Sequence, residues 1–350
     1  MTTQNYSVAL WRQRISLALL CLCSAVPVHA QIVEMAGGRA LGMGGAFVAV
    51  ASDSSATWWN PAGLAAGPFV DVALGGNLAD ATDQLPVWRQ KASWFAVGTP
   101  PLGFGYHRFR ITDIQSTAPA GQTEAGQGAR AGVPVRSLSA SQLGVTLVRT
   151  LVSGVHAGTT LKYVRGTVRG GREGSLVRAS DLLAQSEALG GGRAESRFDL
   201  DVGVIAVAGS LRLGAVIRNV REPEFTMAGS ASDASSARMR LPRQIRVGAA
   251  FDPEMATGVP LTIAFDADVR AYAAPSGARR MVAFGAERWL LAKRVGVRAG
   301  GRVNTLSARE RSATAGLTVA LRGGLYLDGH AVRGGSADEK GWGLAARVSF

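Results

Sequence analysis

The sequence predicts an all-β fold, a transmembrane antiparallel up-and-down β-barrel of about fourteen strands. Three observations lead to this prediction. Apolar and polar residues alternate with a period of two through most of the chain after Leu64. The connections between the alternating segments are short and long in turn. No apolar run of about 18 residues, the length of a membrane-spanning helix, follows residue 30. A membrane protein with this pattern crosses the bilayer with strands.

The alternation is clear in residues 155–163, where Val, Ala, Thr, Leu and Tyr alternate with His, Gly, Thr and Lys. One face of such a strand is apolar and the other is small or polar, as in a barrel wall between lipid and lumen. The predicted strands cover residues 68–78, 90–99, 101–112, 136–151, 154–169, 193–208, 210–220, 242–252, 258–270, 278–289, 292–304, 311–322, 324–333 and 341–350.

The connections indicate how the barrel lies in the membrane. They are tight after the second, fourth, sixth and twelfth segments and long at residues 79–89, 113–135, 170–192 and 221–241. Bacterial outer-membrane barrels have short periplasmic turns and long external loops, and an even number of strands places both termini in the periplasm. The long loops are rich in Gly, Ser, Ala and Arg, so we expect them to be solvated rather than folded.

A soluble β-sandwich would show the same alternation, because its two sheets bury one face each. Fourteen segments would be unusual in one sandwich domain, whereas barrels of this size are ordinary in outer membranes. Closure also removes the unpaired strand edges that hydrocarbon does not tolerate. The sequence therefore favours the membrane barrel.

The N-terminus predicts export. Arg12 and Arg14 precede an apolar run at residues 15–26, and Val28-His29-Ala30 is a small-x-small cleavage site, so residues 1–30 are predicted to be a signal peptide. Both cysteines of the chain lie inside this segment. We therefore expect no disulfide and no cysteine-based metal site in the exported protein.

A motif follows the signal peptide, and Pro61 lies at its centre. The residue before a proline is pushed out of the helical region, the proline fixes its own φ, and Gly63 permits a positive φ, so this stretch predicts a helix end and a turn. The motif consists of Trp58, Trp59, Asn60, Pro61, Ala62 and Gly63.

Together with the glycine-rich run at residues 38–49, this motif resembles the N-terminal signature of outer-membrane barrels related to the long-chain fatty-acid transporter FadL, including PorV-type and TraF-type relatives. The resemblance implies that residues 31–67 form a small helical hatch, or plug, inside a barrel of residues 68–350. It also implies that Asn60-Pro61-Ala62 is the turn of the plug. We expect the two tryptophans beside it to anchor the plug on the barrel wall.

The C-terminal segment resembles the signal by which the barrel assembly machinery recognises outer-membrane barrels. Trp342, Leu344 and Phe350 share the apolar face of this segment, and the chain ends on the aromatic residue. We therefore expect outer-membrane lipid and the assembly machinery as partners.

Charged side chains fall on the polar face of the strands. At mid-membrane a lipid-facing Arg or Lys would cost about 2 to 4 kcal/mol, so we expect these side chains to line the lumen. They either pair with one another and hold the plug, or line a permeation path. The predicted lumen-facing residues are His156, Lys162, Asp199, Asp201, Arg212, Arg218, Arg246, Asp266, Asp268, Arg298, Arg302 and Arg347.

The distribution of charged residues gives little support for catalysis, metal binding or nucleic-acid binding. Asp199 and Asp201, and likewise Asp266 and Asp268, place two carboxylates on one face about 7 Å apart, but no third ligand or water-activating partner is evident. We expect arginines to neutralise them, and we expect no catalytic residue, metal or cofactor. The net charge is +13, but the cations are spread along the segments without a basic helix, so we expect no nucleic-acid partner.

Two functions remain. The resemblance implies passive uptake of hydrophobic or amphipathic small molecules across the bacterial outer membrane, with a rearranging plug. The alternative is a non-transporting scaffold or secretion-accessory barrel that acts through its external loops. The predicted lumen is charged and shows no continuous apolar stripe. A wall kink with an apolar pocket would favour transport, and a lumen closed by ion pairs would favour the scaffold.

Overall fold

The structure, a computed structural model, describes residues 34–82, 87–114, 133–173, 178–187, 191–227, 238–274, 277–306, 310–322, 324–335 and 339–350. The predicted signal peptide and the first three residues of the predicted plug lie outside these ranges. The predicted fold class is confirmed: fourteen antiparallel strands close into a barrel around the N-terminal segment.

Each predicted strand segment overlaps one strand of the barrel wall. The wall closes where the first strand pairs with the last, with Asp71 opposite Ser349. The wall strands are β1 (Asp71–Ala81), β2 (Val87–Gly98), β3 (Leu102–Ile114), β4 (Val133–Val152), β5 (Val155–Glu173), β6 (Ala194–Ala208), β7 (Leu211–Arg218), β10 (Gln244–Phe251), β11 (Leu261–Asp268), β14 (Met281–Leu290), β15 (Val295–Asn304), β16 (Arg311–Ala320), β17 (Leu325–Gly334) and β18 (Lys340–Ser349). Two hairpins beside the wall are formed by β8 (Glu224–Thr226) with β9 (Arg238–Arg240) and by β12 (Tyr272–Ala274) with β13 (Gly277–Arg279).

The wall is uneven in height. β4 and β5 have 20 and 19 residues, whereas β7, β10 and β11 have 8 each. Tight turns join the strands at the end where β1 begins, and the longer connections lie at the opposite end, which we call the loop end. The tall strands extend furthest toward the loop end.

The prediction that the long loops are solvated rather than folded is wrong for two of the four, residues 170–192 and 221–241. Much of the other two lies outside the described residues. One loop contains a helix whose Leu182 and Leu183 pack on Val87, Ile114 and Val135 of β2 to β4. Another forms the hairpin of β8 and β9, in which Phe225 and Met239 are fully buried. A few apolar residues in a Gly- and Ser-rich stretch are enough to dock it on an existing wall, which loop composition does not reveal.

The N-terminal segment fills the lumen. It consists of helix α1 (Gly38–Gly42), helix α2 (Ala56–Trp59) and a 3₁₀ helix (Pro61–Ala66). The remaining helices are α3 (Ala179–Glu187), the loop helix described above, and α4 (Glu254–Thr257) in a turn. Among the described residues, no helix has the length and apolar character needed to span a membrane.

Candidate functional site

The Asn60-Pro61 turn connects the plug both to itself and to the wall. The Asn60 side chain donates to the Val48 carbonyl at 2.9 Å within the plug and to the Val204 carbonyl of β6 at 3.2 Å. Its Oδ1 accepts the N–H of Ala62 at 3.2 Å. Asn60 is fully buried, so each of these polar atoms would cost free energy if it lost its partner.

Glycines of the wall make room for this turn. A Cβ placed on Gly158 of β5 would lie 2.4 Å from both the Pro61 carbonyl carbon and the Ala62 nitrogen. A Cβ on Gly203 of β6 would lie 2.0 Å from Asn60 Oδ1. The backbone of the plug therefore rests directly on the backbone of the wall, which only glycine permits at these positions.

Asp266 of β11, three strands from β6 along the wall, holds another part of the plug. Its Oδ2 accepts the N–H groups of Phe47 at 2.8 Å and of Val48 at 2.9 Å, and the carboxylate is buried. A charged acceptor makes stronger hydrogen bonds than a neutral one, so this contact fixes the middle of the plug.

A chain of buried ion pairs links α1 to three strands. Glu287 of β14 accepts from Arg39 Nε of the plug at 2.6 Å and from Arg298 Nε of β15 at 2.9 Å. Arg298 also contacts Asp328 of β17 at 3.3 Å. Arg39 and Glu287 were not among the predicted site residues. Glu287 occupies an inward position of its strand, so strict alternation could have found it, but nothing in the sequence relates it to Arg39.

Glu34 lies in a cationic environment near the loop end. Its carboxylate oxygens are 3.7 Å from Arg246 of β10 and 3.7 Å from Arg279 of β13. Burial raises the pKa of Glu34, but the charges of Arg302, Arg279 and Arg246 outweigh it and lower the pKa to about 2. The carboxylate is therefore ionised at neutral pH and attracts this part of the plug to the wall.

This shift predicts an acid-dependent release of the plug. Because the pKa of Glu34 falls from an ordinary 4.5 to about 2, its stabilisation is complete above pH 4.5 and is lost as the pH falls toward 2. We expect the conductance of single barrels in planar bilayers to rise as the pH falls from 4.5 to about 2. In the Glu34→Gln variant, which has no carboxylate to protonate at this position, we expect a smaller rise. An identical pH profile for the two proteins would contradict the assignment.

Lys162 of β5 lies between the first pair of carboxylates. Its Nζ is 2.8 Å from Asp199 and 2.7 Å from Asp201, both on β6. The same carboxylates accept the backbone N–H groups of Arg221 and Asn219, so they draw the chain after β7 inward. A lysine, not the expected arginine, neutralises this pair. Within the described ranges, no group of three or more His, Cys, Asp or Glu residues could hold a metal ion.

Most of the other predicted lumen residues are also paired. Arg218 is the exception, because its guanidinium nitrogens make no hydrogen bond with the described residues and it lies over the Trp58 ring instead. Arg246 donates to Asp268 at 2.8 Å, and Arg302 is 2.5 Å from Glu339. Three further residues lie nearer the turn end and are less buried. They make side-chain contacts there, Arg212 at 3.1 Å from Asp252, His156 at 2.9 Å from Thr150 and Arg347 at 3.5 Å from Asp71.

The predicted assembly-signal residues lie on the outside of the barrel. Trp342, Leu344 and Phe350 are all exposed on the last strand and at the chain end. They are therefore accessible from the lipid side of the wall.

The two tryptophans of the motif have different surroundings. Trp59 stays within the plug, where its Nε1 donates to the Ala36 carbonyl at 2.8 Å and its ring meets Phe47. Trp58 faces the wall: its ring lies 4.6 Å from His107 and 6.4 Å from Phe109 of β3, and Arg218 of β7 sits over it at 4.0 Å. The cavity beside Trp58 and His107 measures about 10 Å³, enough for about one water.

An apolar cluster above Trp58 was missed by the sequence analysis. It lines the lumen at the loop end and is covered by the β8–β9 hairpin. Its members are Phe109, Ile111, Leu138, Val164, Val168, Phe225, Met239 and Leu241, all buried.

A change in the phase of the alternation could have revealed this cluster. In β4, Leu143, Val145 and Leu147 are exposed on the outer face, whereas Leu138 and Ala140, nearer the loop end, are buried on the inner face. The apolar face thus changes from outside to inside along the strand, and β3 and β5 show the same change. Such a reversal is expected where a strand leaves hydrocarbon and its outer face meets water.

Comparisons with known proteins agree with this architecture. A family model described as "F plasmid transfer operon, TraF, protein" matches residues 110–268, less than half of the chain. No curated protein matches the sequence. Among solved structures, the Pseudomonas putida toluene transporter TodX is 14% identical, with coverage of 92% of this chain and 98% of that one and a TM-score of 0.55.

Two further structures are similar. The CymD monoaromatic hydrocarbon channel is 12% identical, with coverage of 92% and 99% and a TM-score of 0.63. A Pseudomonas aeruginosa FadL homologue is 11% identical, with coverage of 93% and 100% and a TM-score of 0.59. These outer-membrane proteins share with this chain the fold of a closed antiparallel β-barrel. The resemblance to FadL-like barrels is confirmed at the level of the fold.

Proposed function

We propose that this protein is an outer-membrane channel for the passive uptake of hydrophobic or amphipathic small molecules, with the plug as its gate. The observation that carries the proposal is the continuous apolar contact from the loop end to the plug. Phe225 and Met239 cover the inner wall of β3 to β5, and Phe109 of that wall contacts Trp58 of the plug. An apolar molecule held under the hairpin would be in contact with the gate.

The way the plug is fixed supports a gating role. The Asn60 side chain donates a hydrogen bond to the wall, Asp266 of the wall accepts hydrogen bonds from the plug, and Arg39 of the plug forms an ion pair with the wall. Such directional contacts can be exchanged for others or for water when the plug moves. The named substrates of the similar structures, toluene and monoaromatic hydrocarbons, are of the same chemical class as the proposed cargo.

The alternative is a plugged scaffold barrel, and two observations favour it. Buried ion pairs such as Arg298–Glu287 fill the lumen beside the plug. The pairing of β2 with β3 is continuous from Val87 opposite Ile114 to Gly98 opposite Gly103, so this part of the wall has no kink through which a cargo could leave. A scaffold would present its folded loops to a partner and would transport nothing.

Substitution of Phe109 tests the transport proposal. We expect the Phe109→Ala variant, reconstituted in liposomes, to lose about tenfold in the saturable uptake of labelled toluene or oleate, because burial of a Phe side chain contributes about 1.5 to 3 kcal/mol to holding an apolar partner. Uptake of sucrose should stay at the background level. The matched control is Phe104→Ala on the same strand, since Phe104 is exposed on the lipid face.

The outcomes separate the two functions. Equal losses in the two variants would contradict a role for the apolar cluster. If the unaltered protein takes up neither toluene nor oleate, the transport proposal fails and the scaffold remains.

A further inference from the structure

The outer face of β2 to β6 carries a row of apolar side chains at one height. Each member is the direct cross-strand partner of the next, and all are exposed. The row consists of Phe95, Tyr106, Leu143, Tyr163 and Phe198. Aromatic residues form girdles of this kind where a barrel leaves the hydrocarbon, so this row marks the membrane boundary at the loop end.

A second row of outward-facing side chains lies two residues closer to the loop end on each of these strands, and its side chains are polar. Arginine and serine alternate in it, again as direct cross-strand partners. This arginine–serine row consists of Ser93, Arg108, Ser141, Arg165 and Ser196. Successive outward positions on a strand are about 7 Å apart, so the row lies at the height of lipid headgroups. The phase reversal in β3 to β5 falls at the same height.

The two arginines of the row have free donors. Arg108 and Arg165 are exposed, and neither makes an ion pair or a side-chain hydrogen bond with another described residue. A surface cleft of about 260 Å³ opens beside Arg108, and its lining includes Lys91, Ser93 and Arg110.

Few acidic side chains lie close to the cationic side chains of this cleft. Glu187 of α3 contacts Lys91 at 2.5 Å, whereas Arg110 donates to neutral oxygens, the Ser139 hydroxyl at 3.0 Å and the Glu187 carbonyl at 3.1 Å. The surface around the row therefore keeps an excess of positive charge together with hydroxyl donors.

We propose that the arginine–serine row binds the phosphate groups of a phosphorylated glycolipid of the outer leaflet, of the lipid A type. Guanidinium groups and hydroxyls together are the donors that bind phosphate, and an arginine can contact it with two parallel hydrogen bonds. The apolar row directly below would contact the acyl chains of the same lipid. A lipid fits better than a soluble anion because the donors lie beside the lipid-facing girdle. The proposal rests on the outer-membrane placement proposed above and does not depend on transport.

Removal of two charges tests it. We expect the double variant Arg108→Gln with Arg165→Gln to bind diphosphorylated lipid A in detergent micelles at least about tenfold more weakly than the unaltered protein, as measured by thermophoresis of the labelled barrel. Each substitution removes charge-assisted hydrogen bonds to phosphate but keeps a polar side chain.

The matched control is Arg149→Gln with Arg288→Gln. These arginines are also exposed on the outer face, but they lie near the turn end, and their loss changes the net charge equally. We expect lipid A binding of this control to be unchanged, and inorganic phosphate to bind weakly to all three proteins. Unchanged binding by the first variant, an equal loss in the control, or phosphate binding as tight as lipid binding would each overturn the proposal. Binding of an acidic peptide as tight as that of lipid A would also overturn it.

Discussion

The Gly158→Ala substitution is expected to displace the plug turn and to open the lumen to polar solutes. The new methyl group would lie 2.4 Å from backbone atoms of Pro61 and Ala62, far inside van der Waals contact. β5 is paired on both sides, to β4 and β6, so the wall resists movement and the plug has to shift. Overpacking of this kind costs about 1 to 3 kcal/mol. The measurement is single-channel conductance in planar bilayers, in which we expect a closed parent and a conducting variant.

The control for this experiment is Gly329→Ala on β17. A Cβ there would meet only Leu344 at 3.5 Å, an ordinary contact, so the same substitution in a wall strand should leave the barrel closed. A Gly158→Ala barrel that stays as closed as this control would show that the turn does not rest on the wall as described.

The Asp266→Ala substitution is expected to release the middle of the plug. It leaves the N–H groups of Phe47 and Val48 without their acceptor in a buried place, at a cost of about 1 to 3 kcal/mol each. The barrel strands keep their own ladder hydrogen bonds, so the wall should remain folded. We expect rapid proteolysis of the plug from the turn end while the barrel still resists denaturation by detergent at room temperature.

The Asp266→Asn variant separates hydrogen bonding from charge. An amide oxygen can accept both N–H groups, and the second carboxylate oxygen has no hydrogen-bond partner among the described residues, so its replacement by an amide nitrogen removes no contact. We expect this variant to keep the plug protected. If both variants release the plug equally, the negative charge holds it and the hydrogen bonds matter little.

Much of the wall was predictable because strand periodicity is local. The alternation in residues 155–163 reports which side of one strand meets lipid, and nothing distant is needed to see it. The strand order was predictable for the same reason, because each wall strand pairs with its neighbours along the chain. The folded loops escaped prediction since their docking depends on a few residues such as Leu183, whose partners lie on strands elsewhere in the chain.

The site depended on contacts that sequence distance hides. Alternation identified Asp266 as a lumen residue, but its partner Phe47 lies 219 residues away, and no local pattern joins the two. Gly158 is one of 45 glycines, and only closure of the wall around Asn60 and Pro61 shows why it has no side chain. The sequence by itself determined the strands, the faces of their membrane-spanning parts and the presence of the N-terminal motif, because these follow from neighbouring residues. The tertiary structure alone decided which wall residues hold the plug, since closing a barrel brings together side chains that are hundreds of residues apart.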